Sequence, residues 1–338
     1  MLNFGILGTG NIARQFAFGV TQSSRCRLSA VASRSAESAA AFAASYNIPI
    51  ALAGYDALLT RQDIDAVYVS LPNTMHHEWT IKALRAGKHV LCEKPLGANA
   101  AEAAEMFAAA HQTGRALVEA FMYRAHPLTH AVVAAVRSGI IGQVKLIRSS
   151  FCYCSRKIDG NIRFAPELAG GSLMDIGCYC ISFSHLIAGQ IPRSCHATGH
   201  LHESGVDDVA AGTLRFPSGI VAGFTCGMTV HADNSAYVCG DDGYIEIPVP
   251  WKPPARDAVF HVCRSIPPKQ DVPTAASPPA APPRETRSVW AGKDLYAVEA
   301  DAFAAVVLDG APPFMPEDHT MATMRTLDEL RLQLGMRI

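Results

Sequence analysis

Short apolar runs alternate with amphipathic stretches along the first 121 residues. Phe4 to Leu7, "RLSAVAS", "DAVYVSLPN", "HVLCEK" and "ALVEAF" read as buried strands. Between them, "SAESAAAFAASYN", "HHEWTIKALRAGKH" and "AAEAAEMFAAAHQTG" read as helices ended at Asn47, Gly87 and Gly114. Strand and helix in turn predict an α/β domain with a doubly wound parallel sheet. Ligands of such sheets sit at the carboxyl ends of the strands. The strand "VLC" ends by delivering Glu93, Lys94 and Pro95 to that edge.

From residue 122 the pattern changes. Strand-like stretches from "QVKLIRSSFCYCS" to "SAYVCGDDGYIEIPVP" follow one another with turn residues between. Phe216-Pro217-Ser218-Gly219 and Gly240-Asp241-Asp242-Gly243 mark hairpins. These features predict an α+β domain over 122–338 with a large, mainly antiparallel open sheet. Residues 264–288, dense in proline, read as an exposed loop without a core role. Two final helical stretches are expected to close this second domain. No internal repeat is evident.

Composition narrows the function. Lys plus Arg number 29 against 30 Asp plus Glu, a formal charge of -1. That balance gives no general attraction to nucleic acid or anionic lipid. Cys152/Cys154 and Cys178/Cys180 are separated by one residue, too close for zinc knuckles, so no metal site is expected. The ten cysteines read instead as small apolar residues in a reducing compartment. No signal peptide and no membrane-length apolar run is seen, which predicts a soluble, cytoplasmic protein.

The chemistry begins at Gly8-Thr9-Gly10-Asn11-Ile12-Ala13, a G-x-G-x-x-A match between strand and helix. Gly8 permits the tight turn, Gly10 admits a pyrophosphate, and Ala13 lets the helix lie close to the strand. The helix N-terminus then offers free N–H groups to phosphate. Strand two ends in Ser33 and Arg34 where an NAD site usually has an acid, so NADP is preferred and NAD stays open. Leu71, Asn73 and His76 follow another strand end and are cofactor-site candidates. His76 and His77 are adjacent and read as cleft or helix-start residues, not ligands. "GGSLMDIGCYCISFSHLIAGQ" reads as one helix from near Ser172 to before Gly189, with Asp175 and Tyr179 at i and i+4 on one face. Asp175 fits two roles, support of the cleft or the acid of a capping box from Ser172. Arg163 is a candidate for substrate or cofactor contact.

These residues together resemble the glucose-fructose oxidoreductase / inositol dehydrogenase (Gfo/Idh/MocA) superfamily. The resemblance rests on the glycine motif, Pro72-Asn73 with His76, Glu93-Lys94-Pro95, and "GGSLMDIGCY" in the same order. "EAFMYRAHP" and "NIRFAPELAGGSLMDIGCY" are similar to the branch of dimeric dihydrodiol dehydrogenases and NADP-dependent D-xylose dehydrogenases. The resemblance implies a dinucleotide-binding Rossmann domain over 1–121. It also implies that 122–338 binds substrate and forms a homodimer or higher homo-oligomer through its sheet. It places Lys94 beside the nicotinamide, with Tyr179 as acid/base and Asp175 in support. Glu93 then orients Lys94 or approaches the ribose. Ser38 departs from the basic residue that many relatives carry near the 2′-phosphate. A phenol with an ordinary pKa of about 10 is expected to be lowered by a neighbouring ammonium. The implied activity is hydride transfer at a sugar or cyclic-diol carbon. The alternatives are a carbonyl or anhydro-sugar reductase running the other way, and an NADP-sensing regulator without turnover.

Overall fold

The computed structural model describes residues 1–264 and 283–338. In the first domain, β1 (Leu2–Leu7), α1 (Asn11–Val20), β2 (Cys26–Ser33), α2 (Ala36–Tyr46), β3 (Ile50–Ala53), α3 (Asp56–Leu59), β4 (Ala66–Val69), α4 (Asn73–Arg85), β5 (His89–Glu93), α5 (Ala100–Thr113) and β6 (Leu117–Ala120) alternate as the pattern predicts. The strands form a parallel sheet in the order β3-β2-β1-β4-β5-β6. Local chemistry sets the helix ends. Ser35 accepts from the Ser38 N–H at the start of α2, and Asn99 from that of Glu102 at the start of α5. Asn47 and Gly114 take the left-handed conformation that stops each helix. The short β3 and α3 were not expected, because four residues carry too little periodicity to register.

The chain then runs through α6 (Met122–Ala125) and α7 (Pro127–Arg137) into β7 (Val144–Cys152). After a loop it enters α8 (Cys178–Ala188), preceded by a π-helical turn at Leu173–Gly177. The strands β8 (Ser194–Leu201), β9 (Asp207–Arg215), β10 (Val221–Gly227), β11 (Ala236–Gly240), β12 (Gly243–Ile247), β13 (Ala258–Arg264) and β14 (Arg284–Val289) complete the second sheet. Its order is β14-β13-β12-β11-β7-β10-β9-β8, antiparallel except for the β7–β10 pair. Both expected hairpins form, between β9 and β10 and between β11 and β12. The Pro-rich reading needs correction at its end, since β14 pairs with β13; residues 265–282 lie outside the described residues. The tyrosine- and cysteine-bearing α8 covers one face of the sheet against β7 and β10.

The two final helices, α9 (Leu295–Asp309) and α10 (Glu317–Gln333), do not simply close the second domain. α9 returns to the first and packs on α1, with the Phe303 ring 5.6 Å from Phe4. Gly19 makes this approach possible, because a Cβ there would lie 2.5 Å from that of Tyr296. α10 packs on both α5 and α8, and its Arg331 donates to the Ala98 carbonyl at 2.8 Å. Tertiary apolar surface, invisible in a local pattern, decides these positions.

Candidate active site

The carboxyl ends of β1, β4 and β5 face the second domain across a cleft of about 490 Å³. Asn11, Ile12, Leu71, Asn73, His76, Glu93, Lys94, Arg163, Asp175 and Tyr179 all line it, so residues 168 positions apart in the chain converge. Gly8, Thr9 and Gly10 form the β1–α1 turn beside it. Gly8 has φ +102, and a Cβ there would lie 2.9 Å from the Ser70 carbonyl. Among the described residues a Cβ at Gly10 would meet nothing within 4 Å, and no side chain caps α1. Open backbone at an uncapped helix start suits a dinucleotide phosphate. Ser33 and Arg34 stand at the end of β2, outside the lining of this cleft.

Lys94 is held by Asp175. Its ammonium donates to the Asp175 carbonyl at 2.7 Å and to Oδ1 at 3.3 Å. Asp175 Oδ2 accepts from the Tyr153 hydroxyl at 2.7 Å and from Arg163 Nε at 2.9 Å. Burial alone would push the Asp175 carboxyl up, but Lys94 and Arg163 outweigh it and hold the pKa below the usual carboxylate range. Burial would likewise lower Lys94, and the Asp175 charge outweighs it, so Lys94 stays an ammonium. Of the two roles considered for Asp175, capping is not what the structure has. The Ser172 hydroxyl and the Leu173 N–H instead donate to Asp207 Oδ2, at 2.6 and 2.8 Å. The helix also starts as a π turn rather than as the expected α-helix.

Tyr179 corrects another expectation. The Lys94 ammonium lies 5.2 Å from the centre of its ring, a cation–π position. The phenol donates to Met122 Sδ at 3.3 Å. Burial, with the Glu93 charge adding to it, raises its pKa well above 10 rather than lowering it. The ammonium faces the ring while its hydrogen bonds go to Asp175, so the phenol keeps its proton.

Beneath this pair the strand-end turns are braced. The Tyr68 hydroxyl donates to Glu93 Oε1, and the Lys94 N–H to Glu93 Oε2 at 3.3 Å. The Lys94–Pro95 peptide is cis. His76 is fully buried, with Nε2 2.8 Å from the Leu71 carbonyl and Nδ1 2.9 Å from that of Pro95. Both ring nitrogens face turn carbonyls and burial favours the neutral ring, so its one N–H is taken by one of those carbonyls, which makes His76 a strut rather than a free donor. Asn73 donates to the Ala169 carbonyl at 2.9 Å, tying α4 to the second domain.

Tyr153, Lys252 and Tyr296 line the cleft without having been singled out in the sequence. Tyr153 had a usable signal, its place just past a strand end. Lys252 and Tyr296 come from a loop and a distant helix whose docking no motif records.

A Rossmann sheet opening on a lysine, a tyrosine and an ion-paired carboxylate is the framework of a nicotinamide-dependent oxidoreductase. Residues 2–121 match the family described as "Oxidoreductase family, NAD-binding Rossmann fold", and 129–246 match "GFO/IDH/MocA C-terminal domain". A D-xylose 1-dehydrogenase (NADP(+)) of Haloferax volcanii is 36% identical over 97% of this chain and 95% of its own. The trans-1,2-dihydrobenzene-1,2-diol dehydrogenase of Mus musculus is 36% identical over 75% and 76%. A 3-ketoreductase from Actinomadura kijaniata, solved with NADP and TDP-benzene, superimposes with a TM-score of 0.86 at 31% identity, covering 98% of each chain. The chain belongs to the GFO/IDH/MocA oxidoreductase family.

Proposed function

We propose that the protein is an NADP-dependent dehydrogenase that moves a hydride between its cofactor and a hydroxyl- or carbonyl-bearing carbon of a sugar or cyclic diol. The observation that carries this reading is the Lys94 ammonium 5.2 Å from the Tyr179 ring, inside the cleft at the Rossmann strand ends. The similarity to an NADP-dependent xylose dehydrogenase and to a dihydrodiol dehydrogenase supports the cofactor and the carbinol substrate. So does Arg34 at the end of β2, where no acid stands to repel a 2′-phosphate.

When bound, the nicotinamide supplies the hydride acceptor or donor. The chain's residues do the rest. The α1 N-terminus and Asn11 would hold the cofactor's phosphates. Lys94, kept charged by Asp175, donates to the substrate oxygen where negative charge develops. The Tyr179 hydroxyl exchanges the proton with that oxygen. Because burial keeps the phenol protonated, the resting cleft is ready to protonate a carbonyl. Oxidation needs the phenol to lose its proton first, so the same groups serve both directions at different pH.

The second sheet supports a homodimer. Leu146 and Val221 are register neighbours on β7 and β10, and both stay exposed. The ten free thiols, most of them buried, support a reducing, cytoplasmic setting.

Purified protein with NADP and a panel of aldoses and cyclic diols should show growth of reduced-cofactor absorbance. Lys94→Ala should lose most of that turnover while keeping its NADP dissociation constant. Wild-type protein that binds NADP but turns over no sugar, diol or carbonyl would be a sensor instead.

A further inference from the structure

The cleft holds an ammonium that neither the fold nor the proposed hydride transfer uses. Lys252 follows β12 in "VPWKPPAR", a segment that cannot swing freely. Trp251 before it is buried, donates from Nε1 to the Ser150 carbonyl at 2.7 Å, and packs against Tyr179 with ring centres 6.0 Å apart. Pro253 after it is buried as well and fixes the backbone. The lysine between these anchors packs part of its side chain along the cleft wall and keeps the rest open to solvent.

The charges around it do not balance. Lys94, Arg163 and Lys252 face the cleft, against the carboxylates of Asp175 and Glu93. Asp175 is already paired with Lys94 and Arg163. Glu93 is buried beneath and bonded to Tyr68. Lys252 has no ion-pair partner among the described residues. Partial burial, then the neighbouring Lys94 charge, lowers its pKa, as expected of a cation without a counter-ion. Arg163 engages Asp175 through Nε, and its side chain remains 46% exposed. The guanidinium therefore still offers its terminal donors. The charges that bear on Lys252 are Lys94, Glu93, Asp175 and Arg163, at the chemical end of the cleft; Asn11 and the α1 terminus mark the phosphate end.

We propose that the substrate is an anionic carbohydrate, whose phosphate or carboxylate is bound by Lys252 together with Arg163. This rests on the dehydrogenase reading for its chemistry but not for its binding. A charged partner restores the balance of the cleft, and a charge-assisted contact in a partly desolvated site discriminates strongly against a neutral analogue. Lys252 is then a specificity residue, and its contact lies away from the carbon that exchanges the hydride.

The test uses NADP-loaded full-length protein and two neutral sugars, D-xylose and D-glucose, against D-glucuronate and D-glucose 6-phosphate. Dissociation constants come from calorimetry and kcat/KM from cofactor absorbance. At least one anionic sugar should bind about tenfold or more tightly than its neutral parent. Lys252→Ala should collapse that ratio and Lys252→Arg should restore it. Whichever of the uronate and the sugar phosphate is preferred names the anion. Equal binding of charged and neutral sugars overturns the proposal and, if neutral sugars turn over, leaves the dehydrogenase reading intact. A ratio unmoved in Lys252→Ala, or a loss confined to the NADP constant, also overturns it. Tight, Lys252-dependent binding without turnover by any sugar upholds it while removing the dehydrogenase reading.

Discussion

At the scale of single residues, the site works through the environments of a few ionisable groups. Tyr179 is the sharpest case. Burial raises its pKa well above 10, so its proton is retained at neutral pH. The rate of alcohol oxidation should therefore climb with pH up to about 10 without levelling off, while carbonyl reduction stays level near neutrality. Tyr179→Phe should lower kcat by about 10²–10⁴ and abolish the slope; a pH–rate profile in each direction checks this. A plateau of oxidation below pH 8 would contradict the burial argument. Much of this site was legible in the sequence. Glu93, Lys94 and Pro95 announce themselves because a buried strand does not end in two charges without reason. Asp175 was ambiguous, since S-x-x-D is also a capping pattern, and only the position of Asp207 decides between the readings. Lys252 was hidden because what matters is its anchorage by Trp251, a contact to a strand 101 residues away.

At the scale of elements, the turn that presents Lys94 is held from behind by β6. Glu119 at its end is fully buried, and its Oε1 accepts from the Leu96 N–H at 2.9 Å. Burial pushes this carboxyl up to about 7. An acid whose pKa is raised by folding binds more protons in the native state, so stability falls as pH rises from about 4.5 through about 7. Glu119→Gln keeps the acceptor and removes the charge. It should flatten that part of the curve and stabilise the protein by about 1–3 kcal/mol at pH 8, read from urea unfolding. Unfolding free energies that fall equally in both proteins would place the raised pKa elsewhere. Alternation of strand and helix could be read directly, because buried parallel strands and Ala-rich helices differ in period. The π turn at Leu173–Gly177 could not, since its partners β7, β9 and β10 are distant in the chain and leave no mark on the local pattern.

At the scale of the whole molecule, the site exists because the chain crosses between its two sheets more than once. Lys94 follows β5 of the first, Tyr153 follows β7 of the second, Tyr179 lies on α8 packed against that second sheet, and Tyr296 comes from α9 after the chain has returned to α1. That return could not be read from the sequence, because the apolar residues of α9 do not say which sheet it will cover. The second sheet's other face keeps Leu146 and Val221 exposed, and sedimentation should give twice the 36.1 kDa chain mass at micromolar concentration. Leu146→Asp should shift it to monomer, whereas a monomeric wild type would remove the dimer. In the proposed mechanism Lys94 and Tyr179 act as one unit on a single substrate oxygen. A double-mutant cycle on kcat with Lys94→Ala and Tyr179→Phe tests it directly. The double variant should be about as slow as the slower single one; losses that multiply in full would show two groups acting independently and contradict a joint action.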